Sequence, residues 1–216
     1  MDVVGKWSLV VPLKPLALAK SRLAPAAGAV RPALALAFAV DTVTAALACP
    51  EVTDVTVVTD DPTAGRELAR LGAFVVPDRP AAGLNAALRH GAERVRDRRP
   101  YAPVAALNGD LPALRADELA GVLRAGAGAG ERAFLADAAG VGTTLLSAGP
   151  GVPLSPAFGG PSRARHLASG AREITLTDVP SVRQDVDTLD DLRAALALGV
   201  GVRTAPLFAA LVPPGR

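Results

Sequence analysis

Three aspartates stand where a divalent cation and a phosphate could be held. Asp110 closes the stretch Val104-Ala105-Ala106-Leu107-Asn108-Gly109-Asp110-Leu111-Pro112, an apolar run that turns at Asn-Gly-Asp. Such a run predicts a strand buried on both faces of a parallel sheet. The C-terminal end of that strand is where open α/β sheets bind ligands. An acid there can ligate Mg²⁺. It can equally close an Asx turn or cap a helix predicted over Ala113–Ala125. Asp185 and Asp187, in Gln184-Asp185-Val186-Asp187-Thr188, are two apart in extended chain and point to one side. Side by side they repel unless a cation neutralises them. Counter-charge comes from the loop after the first predicted strand, where Lys14, Lys20 and Arg22 fall within nine residues and Pro15 stiffens the chain. A solvated loop would look the same, but cations at a strand's C-terminal end also gather a triphosphate. In Phe158-Gly159-Gly160-Pro161-Ser162, glycines precede a helix start whose N–H groups and Ser hydroxyl suit an anion. His166, one turn further on, is expected to pack or cap.

Carboxylates from separate segments, facing cationic loops, describe Mg²⁺-assisted phosphoryl or nucleotidyl transfer. That chemistry needs no nucleophilic side chain, because positioning and charge neutralisation carry it. Neither a P-loop nor the dinucleotide-binding glycine pattern is present, which argues against kinase-like and dehydrogenase readings.

These residues need a scaffold, and the periodicity supplies one. Predicted strands over Trp7–Leu13, Asp54–Thr59, Ala73–Val76, Val104–Leu107, Ala133–Ala136, Thr143–Leu146 and Glu173–Leu176 alternate with helices. The helices are expected over Arg31–Ala48, Pro62–Leu71, Ala86–Arg98, from near Arg115, from Ser162 to Ser169, and over Leu189–Leu198. The pattern predicts a single α/β domain with a Rossmann-like, mostly parallel sheet and right-handed crossovers. Its core spans about residues 7–199, with a tail over 200–216. Asp60 and Asp61 are expected to cap the helix that Pro62 opens. Gly83 permits close approach of a flat ligand, and Asn85 either caps the next helix or offers its amide to a base edge. Thr188 or Asp187 should cap the helix from Leu189. The tail, with an apolar patch at Leu207–Val212, carries no functional reading.

Composition removes several classes. The chain has 216 residues, half of them hydrophobic, a formal net charge of +2 and one cysteine, Cys49. It shows no basic stripe interleaved with aromatics, so a nucleic-acid groove is not expected. A disulfide framework and a cysteine zinc site are equally unexpected. No apolar run looks long enough to cross a bilayer, and the N-terminus does not read as a signal peptide. The expectation is a cytoplasmic protein without membrane contact.

The joint order of these motifs is specific. Val11-Pro12-Leu13-Lys14, Ala19-Lys20-Ser21-Arg22-Leu23, Val58-Thr59-Asp60-Asp61, Gly83-Leu84-Asn85-Ala86-Ala87-Leu88, Gly109-Asp110-Leu111-Pro112, Gly142-Thr143-Thr144-Leu145-Leu146, Phe158-Gly159-Gly160-Pro161-Ser162 with His166, and Asp185-Val186-Asp187-Thr188 together resemble the CofC/FbiD family. These are the 2-phospho-L-lactate or phosphoenolpyruvate guanylyltransferases of coenzyme F420 biosynthesis. The resemblance implies a nucleotidyltransferase fold of the glycosyltransferase-A type and a reaction of GTP with a three-carbon phosphoacid. For an alanine-rich chain of this kind the acceptor it implies is phosphoenolpyruvate, ahead of 2-phospho-L-lactate and 3-phospho-D-glycerate. The product would be enolpyruvoyl-2-diphospho-5′-guanosine, passed to a downstream F420 transferase. By the same resemblance Asp110, Asp185 and Asp187 hold Mg²⁺. Thr144, Gly159 and Ser162 bind phosphoenolpyruvate, Lys14, Lys20 and Arg22 contact the GTP phosphates, and Gly83, Leu84 and Asn85 lie near guanine. Ala138-Ala139-Gly140-Val141-Gly142 departs from the Gly-Thr-Gly expected before Thr143, which leaves both Thr143 and Thr144 as candidates. A molybdenum-cofactor cytidylyltransferase or sugar-phosphate guanylyltransferase would carry a Gly-Gly-rich loop where this chain has Leu13-Lys14-Pro15-Leu16. A scaffold protein with a dead site would not be expected to keep three acids and the cationic loop.

Overall fold

The computed structural model describes residues 6–79, 81–126 and 130–211. In chain order the elements are β1 (Trp7–Pro12), α1 (Ala24–Ala27), α2 (Arg31–Ala48), β2 (Val52–Val58), α3 (Pro62–Arg70), β3 (Phe74–Val76), α4 (Leu84–Arg98) and β4 (Val104–Leu107). There follow α5 (Ala116–Ala125), β5 (Arg132–Ala136), β6 (Thr143–Ala148), α6 (Ser162–Ala168), β7 (Arg172–Glu173), α7 (Pro180–Arg183), α8 (Leu189–Leu198) and α9 (Thr204–Leu211). Single 3₁₀ turns at Ser21–Leu23 and Gly28–Val30 flank α1. The strands form one seven-stranded sheet in the order β3-β2-β1-β4-β6-β5-β7. β1 pairs in parallel with β2 and β4, β2 with β3, and β5 with β7. β6 alone runs against its neighbours, β4 and β5. The sheet is therefore mostly parallel, as the alternation of strands and helices predicts.

The central strands β1, β4 and β6 are buried at almost every position because both faces are covered, and they are largely apolar. On β1, Leu9 and Val11 join the cluster under α2 and α5, while Val10 joins the one under α4. β4 divides likewise, with Ala105 and Leu107 on the first face and Val104 and Ala106 on the second. Crossover connections then bring the C-terminal ends of β1 and β4 side by side, and the loops after them meet.

Several boundaries differ from the sequence reading, each for a tertiary reason. β7 ends at Glu173, short of the predicted Leu176. The Arg183 guanidinium there takes the carbonyls of Ile174 and Leu176, at 3.4 and 2.8 Å, that a longer strand would have used. α4 begins two residues early at Leu84, with Gly83 at its N-cap at φ +89°. Asn85 is not the cap. α3 is capped by Asp61, which accepts from the backbone N–H of Thr63 and Ala64, and Thr188 forms a reciprocal capping box with Asp191 at the start of α8.

Contrary to the expectation from sequence, the chain does contain an apolar run of bilayer-spanning length, the helical stretch Ser21–Ala48 of 28 residues. Its packing is that of a core helix, with Leu34, Phe38 and Val43 fully buried among side chains of the sheet and of α8. Asp41, inside that helix, accepts from the backbone N–H of Arg203 and Thr204 at 3.1 and 2.9 Å. The tail therefore has a structural role: Asp41 fastens the start of α9, and Leu207 and Phe208 pack against the α2–α8 cluster. Val212, the end of the predicted apolar patch, lies outside the described residues.

Candidate active site

A cleft of about 620 Å³ opens at the C-terminal ends of β1 and β4. One wall is the loop after β1, with Lys14, Lys20 and Arg22. The floor is Asn108, Gly109 and Asp110, the far side carries Asp185 and Asp187, and the remaining wall is built from Thr143, Phe158, Gly159, Gly160 and Ser162. Two backbone contacts assemble the acids. Val186 N–H donates to Asp110 O at 3.1 Å, and Leu111 N–H donates to the Thr42 hydroxyl of α2 at 3.0 Å. Val186 is fully buried, which leaves Asp185 and Asp187 on either side of it turned toward Asp110. Gly109 lets the chain run close to β1: a Cβ there would meet Val11 at 3.1 Å and the Pro12 carbonyl at 3.3 Å, so a side chain would need β1 to give by a few tenths of an ångström.

Lys20 sits at the centre of the charge. It adopts the left-handed conformation at φ +55°, unusual for a side chain of its size. Its ammonium donates to Asp110 Oδ2 and, at 2.9 Å, to Asp187 Oδ1. Burial opposes that charge, but Asp110 and Asp187 outweigh it and hold the ammonium above its ordinary value. Burial would also raise the Asp187 carboxyl, yet Lys20, helped by Arg22 and Lys14, holds it below the usual carboxylate range. For Asp185 the relief from Lys20 is outweighed. Burial first, then Asp110, Asp187 and Asp137, push it up to about 7. Asp110 Oδ1 is buried and has no hydrogen-bond partner. An orphaned carboxylate oxygen and an acid that resists ionising mark a cluster short of positive charge, and the all-oxygen donor set suits Mg²⁺. Among the described residues, no three acids already converge on one point as a finished cage.

The opposite wall is built around His166, which is fully buried. Its Nε2 accepts the Ala157 N–H at 3.0 Å, and its Nδ1 lies 2.9 Å from the Thr143 hydroxyl. The Ser162 hydroxyl lies 3.1 Å from the same Thr143 oxygen. Burial, with Arg132 and Arg165 adding to it, lowers the imidazole to about 4. Leu135 pairs with Leu145 and Ala136 with Thr143, so Thr144 is the extra residue of a β-bulge. Thr143 consequently lines the cleft, whereas the Thr144 hydroxyl is buried without a partner. Asp137 shapes the adjoining turn by accepting from Val141 and Gly142 N–H at 2.9 and 2.8 Å.

The MobA-like NTP transferase domain matches residues 35–175. The phosphoenolpyruvate guanylyltransferase of Streptomyces scabiei is 67% identical over 98% of this chain and all of its own length. That of Thermomonospora curvata is 62% identical over 96% of this chain and 91% of its own length. The chain belongs to the phosphoenolpyruvate guanylyltransferase family. A nucleotidyl transferase from Methanothermobacter superposes with a TM-score of 0.62 at 20% identity, covering 89% of this chain and 97% of that one. A 4-diphosphocytidyl-2C-methyl-D-erythritol synthase gives 0.58 at 11%, covering 90% and 99%. These two show the shared fold. The enzyme is a nucleotidyltransferase.

Against this family frame, the structure gathers most of the predicted site residues into one cleft. Lys14, Lys20, Arg22, Leu84, Asp110, Gly159, Ser162, Asp185 and Asp187 all line it. Gly83 and Asn85 do not. Both ends of the Asn85 amide are taken by the Phe158 peptide, its Nδ2 donating to the carbonyl at 3.1 Å and its Oδ1 accepting the N–H at 2.8 Å. Asn85 therefore straps down the loop that carries Gly159 and stands outside the cleft lining. Two of the N–H groups expected to receive an anion at the start of α6 are also in use. Ser162 N–H donates to Gly160 O and Arg163 N–H to Val141 O. The Ser162 hydroxyl remains. Of the two threonine candidates, Thr143 lines the cleft and Thr144 does not. Asn108 and Asp137 line it without having been singled out as ligands; Asn108 had a sequence signal, standing two residues before Asp110, whereas Asp137 depended on a turn.

Proposed function

We infer that this enzyme transfers the guanylyl group of GTP to the phosphate of phosphoenolpyruvate, giving enolpyruvoyl-2-diphospho-5′-guanosine and pyrophosphate. The observation that carries the reading is 67% identity, over essentially the full chain, to a phosphoenolpyruvate guanylyltransferase. The cleft chemistry agrees, with acids for a metal and cations for a triphosphate on facing walls.

An acceptor phosphate oxygen attacks the α-phosphorus of GTP. A new P–O bond forms, the bond from that phosphorus to the bridging oxygen of pyrophosphate breaks, and the bond's electrons leave with pyrophosphate. The attacking oxygen is already anionic at neutral pH, so no general base is needed. Asp110, Asp185 and Asp187 would hold Mg²⁺, which supplies charge neutralisation between two phosphate groups that otherwise repel. Lys14, Lys20 and Arg22 stabilise charge gathering on the departing pyrophosphate. Gly159, Ser162 and the Thr143-Thr144 segment face the acceptor's acid end, and Leu84 lies on the nucleotide side. The cellular setting consistent with these substrates is the cytoplasm, with the product consumed by a transferase of coenzyme F420 synthesis.

Asp110→Asn tests the assignment of the metal. The variant folds, because the Asp110 carbonyl that bonds Val186 is kept, and its turnover falls by orders of magnitude. Undiminished turnover would remove Asp110 from the reaction. Side-by-side rates with phosphoenolpyruvate, 2-phospho-L-lactate and 3-phospho-D-glycerate test the acceptor, and phosphoenolpyruvate should be fastest.

A further inference from the structure

The hydrogen bonds around His166 fix more than its position. Ala157 N–H is a backbone donor and must donate, so Nε2 is an acceptor and carries no proton. In a neutral imidazole the proton then sits on Nδ1, and Nδ1–H donates to the Thr143 oxygen. Deep burial keeps the ring neutral well below physiological pH. Thr143 and Ser162 share one further hydrogen bond and hold two hydroxyl protons between them. One proton is used in that bond. The other has no acceptor within the trio, and both residues line the cleft. The ring is clamped in place by Phe134 and Phe158, with centroids 5.5 and 5.2 Å away.

We propose that His166 is a positioning residue that, through its Nδ1–H tautomer, commits the Thr143–Ser162 hydroxyl pair to donating one hydrogen bond to the carboxylate of the phosphoacid acceptor. This deepens the functional reading above and rests on it. Such a wall recognises a carboxylate by an aimed, uncharged donor, and leaves the cationic residues to the nucleotide. It also explains why a polar ring is buried in an apolar cluster with both nitrogens satisfied.

The test compares three variants by their KM for phosphoenolpyruvate and for GTP. His166→Phe keeps the packing and removes both nitrogens. His166→Asn places an amide N–H where Nδ1 stands, and His166→Gln reaches instead toward Ala157. The expected result is a KM for phosphoenolpyruvate raised roughly ten- to a hundredfold in the Phe and Gln variants. The Asn variant should come within a few-fold of the unsubstituted enzyme, with KM for GTP steady throughout. Rescue by Gln but not Asn, or parallel rises in both KM values, would reduce His166 to a scaffold residue and overturn the proposal. Should the Phe variant not fold, ¹⁵N shifts of the imidazole in the unsubstituted protein decide the tautomer. With only two histidines in the chain, a His90→Gln variant assigns the signals. A proton on Nε2 refutes the proposal. If the unsubstituted enzyme forms no diester from GTP and phosphoenolpyruvate, the functional reading fails instead, and the tautomer result stands apart from it.

Discussion

Replacing Lys20 by methionine keeps the length of the side chain and removes the charge that Asp110 and Asp187 share. The Lys20 and Asp110 side chains are 11% and 21% exposed, so their pair behaves largely as a buried one, whereas Asp187 is 53% exposed and contributes less. Removing one partner of a buried pair costs about 3–5 kcal/mol, and the lower end applies to a site open to a cleft. A loss of about 3 kcal/mol in a domain of this size lowers Tm by roughly 6–12 °C. The assay is thermal unfolding at pH 8 in chelator. Lys20 is held above its ordinary value of 10.5, so its stabilisation is fully present at pH 8. In the variant Asp185, which already resists ionising, loses the relief that Lys20 gives it and takes up a proton as pH falls. The deficit should therefore narrow toward pH 5. Added Mg²⁺ should raise the variant's Tm more than that of the unsubstituted protein, because the acids then bind the cation without Lys20 competing. An unchanged Tm at pH 8, or a deficit indifferent to both pH and Mg²⁺, would refute this account of the cluster.

Other outcomes follow from particular contacts. Asn85→Ala removes both hydrogen bonds to the Phe158 peptide; KM for phosphoenolpyruvate should rise several-fold and KM for GTP change little, as steady-state kinetics with each substrate varied will show. Asp41→Ala leaves two backbone N–H groups at the start of α9 unpaired. It should cost about 1–3 kcal/mol in urea unfolding, with both KM values unchanged. Stability should also fall as pH drops from about 6.5 toward 4. The unfolded chain protonates His166 in that window while the folded chain, with the ring lowered to about 4, does not. The loss amounts to roughly 3 kcal/mol, and His166→Asn should abolish that part of the pH dependence.

Much of the scaffold was legible because the central strands are buried on both faces. Continuous apolar runs such as Leu9–Val11 and Val104–Leu107 mark such strands, and Asp110 reads as a cleft residue from its place at a strand end. The edge was less legible. β7 pairs for two residues and then gives its carbonyls to Arg183, a partner nine residues away from Ile174. At the site, the sequence indicates the acids and the cations but not which of them touch. The Val186–Asp110 backbone bond that joins them spans two distant segments. Thr143 and Thr144 cannot be told apart by spacing, because the bulge that turns one into the cleft arises from strand pairing. Asn85 looked like a ligand for a base because its amide had no visible partner until Phe158 was brought beside it.

The most direct test of the assigned reaction is ³¹P NMR of the enzyme with GTP, phosphoenolpyruvate and Mg²⁺. The expected spectrum gains pyrophosphate and an unsymmetrical diphosphate diester in equal amounts, and neither forms when either substrate is omitted. Pyrophosphate without the diester, or no consumption of GTP in the presence of phosphoenolpyruvate, would contradict guanylyl transfer to this acceptor.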